Sequence, residues 1–320
     1  MSWTGNFNYG VIKATSLLLI CFPLTVLFSD LAVSNYDEAI KYLGIITVLI
    51  SGGLTLVVIV TEPFKFDNTK NMFGFTHVGF GRIVSLGLII VLFKILSSDK
   101  FKINTYLIAV LLIMGLLISG LRGAVIASIA TAAIIIINAV HYKKMRTVHS
   151  LIIVTSLAAA FSFFLFLKDY SDPVIKRFNN LETIKEASEG IDGSINARKR
   201  GLLLAADMIL DHPVAGVGLG GYKQNYKGKD TAFAIEYPHN ILVEVAVELG
   251  IIGLLIFLFL VFKAGRKMLN YDFRLFAIWL LCFLLALFSG NIADQKIFFI
   301  LIGATIFLPE STGKNKLGVI

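Results

Sequence analysis

Long stretches of this 320-residue chain carry no charged side chain at all, among them Ile103–Leu121, Gly123–Val140 and Leu151–Leu167. Each is close to the roughly 20 apolar residues that a helix needs to cross a bilayer. In hydrocarbon, backbone N–H and C=O groups find partners only within a helix or a closed barrel. These runs are continuous rather than alternating, so helices are the outcome. The whole chain follows suit. It is 57% hydrophobic and 16% charged, with mean hydropathy +0.81, against about 25% charged for soluble domains.

Further apolar runs lie at Ala14–Phe28, Ala39–Val60, Ile83–Phe93, Ile241–Phe262, Leu275–Ser289 and Ile297–Leu308. The expected fold is therefore all-α: a polytopic transmembrane helical bundle of about nine helices. The first run has Lys13 before it and no small-residue cleavage pattern after it, so it reads as a mature helix rather than a signal peptide. Cys21 and Cys282 both sit in apolar runs and offer neither a disulfide framework nor metal spacing. The formal charge of +8 is spread over loops. That suits anionic lipid headgroups rather than nucleic acid.

Lys and Arg mark the cytoplasmic side. His141–His149 (Lys143, Lys144, Arg146) and Lys263–Arg274 (Lys263, Arg266, Lys267, Arg274) are expected inside, with Ser98–Lys102 and Gly313–Lys316. Lys168–Pro238 and Gly290–Gln295 then fall outside, as do Thr61–Gly81 and the N-terminus. Ser29–Glu38 falls inside although it holds Asp30, Asp37 and Glu38, so the N-terminal third fits this rule least well. The expected organisation is one integral membrane domain in three parts: N-terminal helices over 1–167, an outer segment over 168–238 and C-terminal helices with a cytoplasmic tail over 239–320.

The outer segment holds most of the plausible chemistry. Asp169–Asn196 is polar, with alternating charges broken by Gly190, Gly193 and Ser194. Ala197–Leu210 reads as an amphipathic helix, with Leu202, Ala205, Ala206, Ile209 and Leu210 at helical spacing. Asp211-His212-Pro213 ends it, because the residue before proline disfavours helix. A glycine-rich turn follows at Gly216, Gly218, Gly220 and Gly221. It lacks the strand and helix context of a phosphate loop and reads as a tight turn. Then comes Tyr237-Pro238-His239-Asn240 and a long apolar helix with Glu244 and Glu248 near its outer end.

Arg122 stands alone between two uncharged runs. A boundary arginine is costly and faces a polar cavity, or it snorkels from a short turn. Its planar fork suits bidentate phosphate contact. Arg82 lies at another outer boundary, as a headgroup anchor or part of the same cavity, and Arg198 and Arg200 open the outer helix as phosphate ligands or solvated positives. His239 precedes a helix that Asn240 could cap. The positive helix end disfavours imidazolium there, leaving a neutral ring able to accept a proton, or a structural histidine. No cluster offers metal ligands, and no cofactor is implied.

In this order the residues resemble the O-antigen ligase and polymerase family of bacterial membrane glycan transferases. The resemblance covers approximately Ile118–Leu255. It runs through Arg122-Gly123, Arg198, Asp211-His212-Pro213-Val214-Ala215-Gly216-Val217-Gly218-Leu219-Gly220, Tyr222, His239-Asn240 and Glu248-Leu249-Gly250-Ile251-Ile252-Gly253-Leu254. It implies a metal-independent, inverting transfer on the periplasmic or outer face of a bacterial inner membrane. The implied donor is a glycan on undecaprenyl diphosphate. The implied acceptor is a sugar hydroxyl of the lipid A core in a ligase, or a second lipid-linked glycan in a polymerase. Arg122 and Arg198 are implied to bind the diphosphate and His239 to act as general base, with Arg200, Arg82, Tyr222 and Asn240 secondary. The chain departs from the family at Leu202, often Trp, and at Leu121, often Ser. Family members commonly have about twelve helices against about nine expected here, a count that agrees with three N-terminal helices missing relative to the family but leaves the question open. The competing class is a transporter or flippase of a lipid-linked substrate, which is expected to show inverted repeats and broken helices near mid-membrane.

Overall fold

The computed structural model describes residues 7–27, 36–61, 77–98, 102–141, 193–226, 237–288 and 290–308. Every regular element among them is helical, in keeping with the all-α expectation. We number them α1 (Phe7–Thr15), α2 (Tyr36–Thr61), α3 (His77–Ser97), α4 (Ile103–Ile118), α5 (Arg122–His141), α6 (Gly193–Asp211), α7 (Gly221–Tyr226), α8 (Ile241–Tyr271), α9 (Phe273–Phe288) and α10 (Lys296–Ala304). A π-helical turn, Ser16–Cys21, continues α1, and a 3₁₀ turn, Ile292–Asp294, precedes α10.

Among the described residues, four helices are long and apolar enough to cross a membrane: Glu38–Val60, Val78–Ser97, Arg122–His141 and Ile241–Tyr271. Lys13–Leu27, Ile103–Ile118 and Phe273–Phe288 are shorter apolar helices. By length and composition this is a multi-pass membrane protein. The expected helix at Leu151–Leu167, the basic residues 143–146, the tail 313–316 and most of the polar segment before α6 lie outside the described residues. Two expected boundaries move. The run read as Ile83–Phe93 extends to the whole of α3, so Arg82 lies inside a helix. The basic stretch read as the loop Lys263–Arg274 is mostly helical, with a break only at Asp272. Although α8 runs over 31 residues, a break at Gly250 divides it, and the part after the break, 251–271, is about 31 Å long against a hydrocarbon core of about 30 Å. Its last turns, bearing Lys263, Arg266 and Lys267, are the part beyond the apolar run, and cations there complement the helix C-terminus.

The chain divides into two compact units. One comprises 35–185, 270–281 and 311–320. Its centre is α3, against which α2, α4 and α5 pack. Small residues let these backbones approach, as membrane helices require in the absence of a hydrophobic drive between them. A Cβ on Gly87 of α3 would stand 2.2 Å from Ser51 Oγ of α2, and one on Gly115 of α4 would stand 2.5 Å from Thr55 Oγ1. Ser51 and Thr55 are fully buried, and each hydroxyl donates to a carbonyl of its own helix, Val48 at 3.1 Å and Ser51 at 2.8 Å. Phe93 meets Phe273 edge to face at 6.2 Å, joining α3 to the start of α9.

The other unit comprises 1–34, 186–269 and 282–310. Phe298 of α10 joins Phe257 of α8 (6.3 Å) and Phe283 of α9 (5.7 Å). The expected amphipathic outer helix is α6, but its buried face is rotated from the expected one. Gly201, Ala205 and Met208 face inward, with Leu204 and Ile209 partly covered. Leu202, Leu203, Ala206 and Leu210 are exposed. Tyr222 decides this: it is wholly buried against Ala205, Met208 and Val247, and its hydroxyl donates to the Gly201 carbonyl at 3.1 Å.

The main irregularity of this unit is a break in α8. Gly250 sits at φ 67°, a left-handed conformation that L side chains avoid. The break frees carbonyls above it, and the glycine-rich turn after α6 takes them up. The Val217 and Gly218 amides donate to the Val247 and Glu248 carbonyls at 2.9 and 3.0 Å, and the Ile251 amide donates to the Pro213 carbonyl at 2.8 Å. The approach leaves no room for a Cβ at Gly216, 2.5 Å from the Glu248 carbonyl carbon, or at Gly250, 2.2 Å from the Val214 oxygen. The turn is thus a docking element, as its tight-turn reading has it, and its hydrogen-bonding groups are spent on α8.

Gly250→Ala is expected to destabilise the protein by about 1–3 kcal/mol, the usual cost of a forced left-handed residue, with more from the clash. Gly53→Ala, at an exposed helical site with open space around it, is expected to leave stability unchanged or raise it by about 0.5–1 kcal/mol. Thermal unfolding of both variants in one detergent is the check.

Candidate active site

His239 is held in an unusual way. It has φ 57°, the only left-handed residue other than glycine among those described. Such a conformation costs about 1–3 kcal/mol and persists where the surroundings impose it. The imposition comes from both sides. Tyr237 stacks at a tilt on the imidazole, ring centres 4.5 Å apart. Asn240 caps α8 as expected: its Oδ1 accepts from the Leu242 and Val243 amides at 2.9 and 3.2 Å. The chain must turn through His239 to enter that cap.

The residue is half-buried, and its Nδ1 is buried with no hydrogen-bond partner among the described residues. Burial pushes the His239 pKa down to about 4, and the nearby Arg198 charge adds to the effect. The imidazole is therefore neutral at physiological pH. The sequence argument reached the same state from the helix dipole; burial comes first here, and Arg198 second. Arg198 itself is exposed in the second turn of α6. Arg200 lies two residues on in the same helix, its side chain outside the described residues.

Arg122 belongs to the other unit. It is the first residue of α5. Ser119-Gly120-Leu121 turns into it, with Gly120 at φ 58° and the Leu121 amide donating to Ser119 Oγ at 3.2 Å. One terminal guanidinium nitrogen of Arg122 is buried without a hydrogen-bond partner. A buried charged donor left open is costly, and the helix start adds its own positive end. Both favour an anion here. Gly81 of α3 packs on this turn, where a Cβ would meet Ser119 Oγ at 3.0 Å and Leu121 Cδ2 at 3.1 Å. That brings the next residue, Arg82, to the same end of the unit as Arg122.

Tyr222 packs inside its unit rather than lining a site. Among the described residues no group of three His, Cys, Asp or Glu could hold a metal ion. The residues that sequence reasoning left without a role are Lys13, Glu244 and Glu248. All three are fully buried. Lys13 Nζ donates to Glu244 Oε1 at 2.5 Å and to Glu248 Oε1 at 2.6 Å. The available signal was two carboxylates four residues apart in an otherwise apolar helix; their partner lies 231 residues away.

With this geometry in view, residues 107–258 match the family described as O-antigen ligase, so the resemblance drawn from the motifs is borne out over that span. It contains Arg122, Arg198, Tyr222, His239, Asn240 and both glutamates, but neither Arg82 nor Lys13. A protein of Rickettsia conorii named as a candidate polysaccharide ligase is 34% identical over 89 residues, 25% of this chain and 22% of the relative. The chain thus matches under a quarter of that relative's length.

The neutral state of His239 is directly measurable. Its imidazole is expected to titrate with a midpoint near 4, and Arg198→Gln is expected to raise the midpoint towards the ordinary value of about 6.5. Histidine-labelled NMR of the protein in micelles reads both. A wild-type midpoint between 6 and 7 would rule out a desolvated ring.

Proposed function

We propose that the protein is a membrane glycan transferase of the O-antigen ligase type. It moves a glycan from undecaprenyl diphosphate to a sugar hydroxyl of the lipid A core, on the periplasmic or outer face of a bacterial inner membrane. The observation that carries this reading is His239: strained, half-buried and kept neutral, inside the segment that matches the ligase family. A neutral imidazole is the form able to take a proton from an acceptor hydroxyl.

In the proposed reaction the acceptor O–H gives its proton to His239 while its oxygen attacks the anomeric carbon. The bond from that carbon to the phosphate oxygen breaks, with inversion, and undecaprenyl diphosphate leaves with the electron pair. Arg122 and Arg198 are assigned to the diphosphate, where negative charge grows in the transition state. Their guanidinium groups carry fixed charge and present paired donors suited to phosphate oxygens. Arg82 is assigned as support to Arg122.

A transporter reading would draw on the broken helix α8. In transporters such breaks leave backbone groups facing a substrate. In α8 the carbonyls freed at Val247 and Glu248 are already bonded by Val217 and Gly218. That favours a transferase. A polymerase would use the same chemistry with a second lipid-linked glycan as acceptor.

His239→Ala is expected to lower transfer by about 10²–10⁴-fold in detergent with donor and acceptor supplied, while protein in the membrane stays constant. Full transfer by that variant would remove the base assignment. Arg122→Ala or Arg198→Ala is expected mainly to weaken use of the donor, and chelator to have no effect. A deletion strain separates the acceptors. Lipid-linked polymer that accumulates beside bare lipid A core indicates a ligase; core carrying one repeat indicates a polymerase.

A further inference from the structure

The first two turns of α8 stand on their own more than the length of the helix suggests. The break at Gly250 cuts the segment that begins at His239 off from the long apolar part that follows. What remains before the break is about ten residues, shorter than an isolated helix can sustain. Something other than the helix must fix it, because His239 needs a set backbone to keep φ 57°.

The fixing contacts converge on two side chains of this segment. Glu244, one turn in, accepts from Lys13 Nζ of α1 through Oε1 and from the Ile292 amide through Oε2, at 2.5 and 3.0 Å. Glu248, the next turn down, accepts from the same Lys13 Nζ at 2.6 Å and interacts with the Gly220 backbone N–H. One ammonium therefore bridges two carboxylates on successive turns, and the pair ties α8 to α1 and to the 3₁₀ turn before α10. Remove the ammonium and two carboxylates are left facing each other in a buried place with nothing between them.

We propose that Lys13 is a positioning residue for His239: through Glu244 and Glu248 it holds the outer turns of α8 in the place from which His239 acts. Lys13 is wholly buried with its ammonium engaged, so it acts through α8 and not on substrate. The proposal rests on the reading of His239 as the base. It assigns a role to a residue outside the matched segment 107–258, on a helix that shares no sequence neighbourhood with the site.

The test uses the full chain in nanodiscs, with amide hydrogen exchange and transfer kinetics measured on the same samples. Lys13→Met is expected to raise exchange at 241–248 by about 10-fold or more and leave 254–268 unchanged. Its kcat is expected to fall about 10–100-fold, the scale of a misplaced catalytic group, with donor KM within about two-fold. The charge swap Lys13→Glu with Glu248→Lys, which keeps the Glu244–Ile292 bond, is expected to recover most of both losses. Unchanged exchange in Lys13→Met overturns the proposal whatever happens to kcat, and so does raised exchange with unchanged kcat. If Lys13→Met does not fold, the swap decides: recovery supports the proposal and no recovery overturns it. His239→Ala on the same assay keeps the two readings apart. Full transfer by that variant sinks the base assignment, while unchanged exchange in Lys13→Met beside an inactive His239→Ala sinks the positioning role alone.

Discussion

A backbone carbonyl in a bilayer has no water to turn to, and this constraint organises the whole unit that carries His239. Breaking α8 at Gly250 frees the carbonyls of Val247 and Glu248. Each would cost several kcal/mol if left open. The turn after α6 is shaped to meet them, which is why Gly216 and Gly250 tolerate no Cβ. Pro213–Gly218 and Glu248–Ile251 are distant in sequence, yet they are two halves of one hydrogen-bonded joint. Tyr222 and the inner face of α6 then pack against Val247 behind it. Strained residues and short helices survive because the joint leaves them little freedom.

The buried ionic cluster is the second device, and its worth is not chiefly stability. Taking three charges out of water costs several kcal/mol per ion, so the net gain over an apolar replacement is small or negative. Losing one partner of such a cluster, however, costs about 3–5 kcal/mol. An interaction with that asymmetry specifies a position sharply. It places α1, α8 and the 3₁₀ turn relative to one another, and so fixes the entrance to α8 where Asn240 caps it.

Much of the architecture was legible in the chain. Uncharged runs such as Ile103–Leu121 and Gly123–Val140 read as apolar helices, and α4 and α5 occupy them. The helix stop at Asp211-His212-Pro213 and the Asn240 cap were readable because both are local effects of a few residues. The buried face of α6 was not. Its apolar stripe includes the exposed Leu202 and Leu210, because beside a membrane apolar side chains have no reason to avoid the outside. The inward face is chosen instead by shape, where Gly201, Ala205 and Met208 admit Tyr222. Nor did the sequence show that Gly81, the residue before Arg82, packs on the turn that leads into Arg122.

By itself the sequence determined that this chain spans a membrane as helices, and it singled out Arg122, Arg198 and His239 as candidates for its chemistry. Composition and short motifs suffice for that, because hydrophobic length and capping are properties of neighbours along the chain. Only the tertiary structure decided that His239 is strained and desolvated, that Arg198 acts on it, and that Lys13 clasps Glu244 and Glu248. The effect of Arg198 and the clasp of Lys13 depend on groups brought together across 41 to 235 residues of sequence. No local pattern encodes such a meeting; it exists only once the helices have packed.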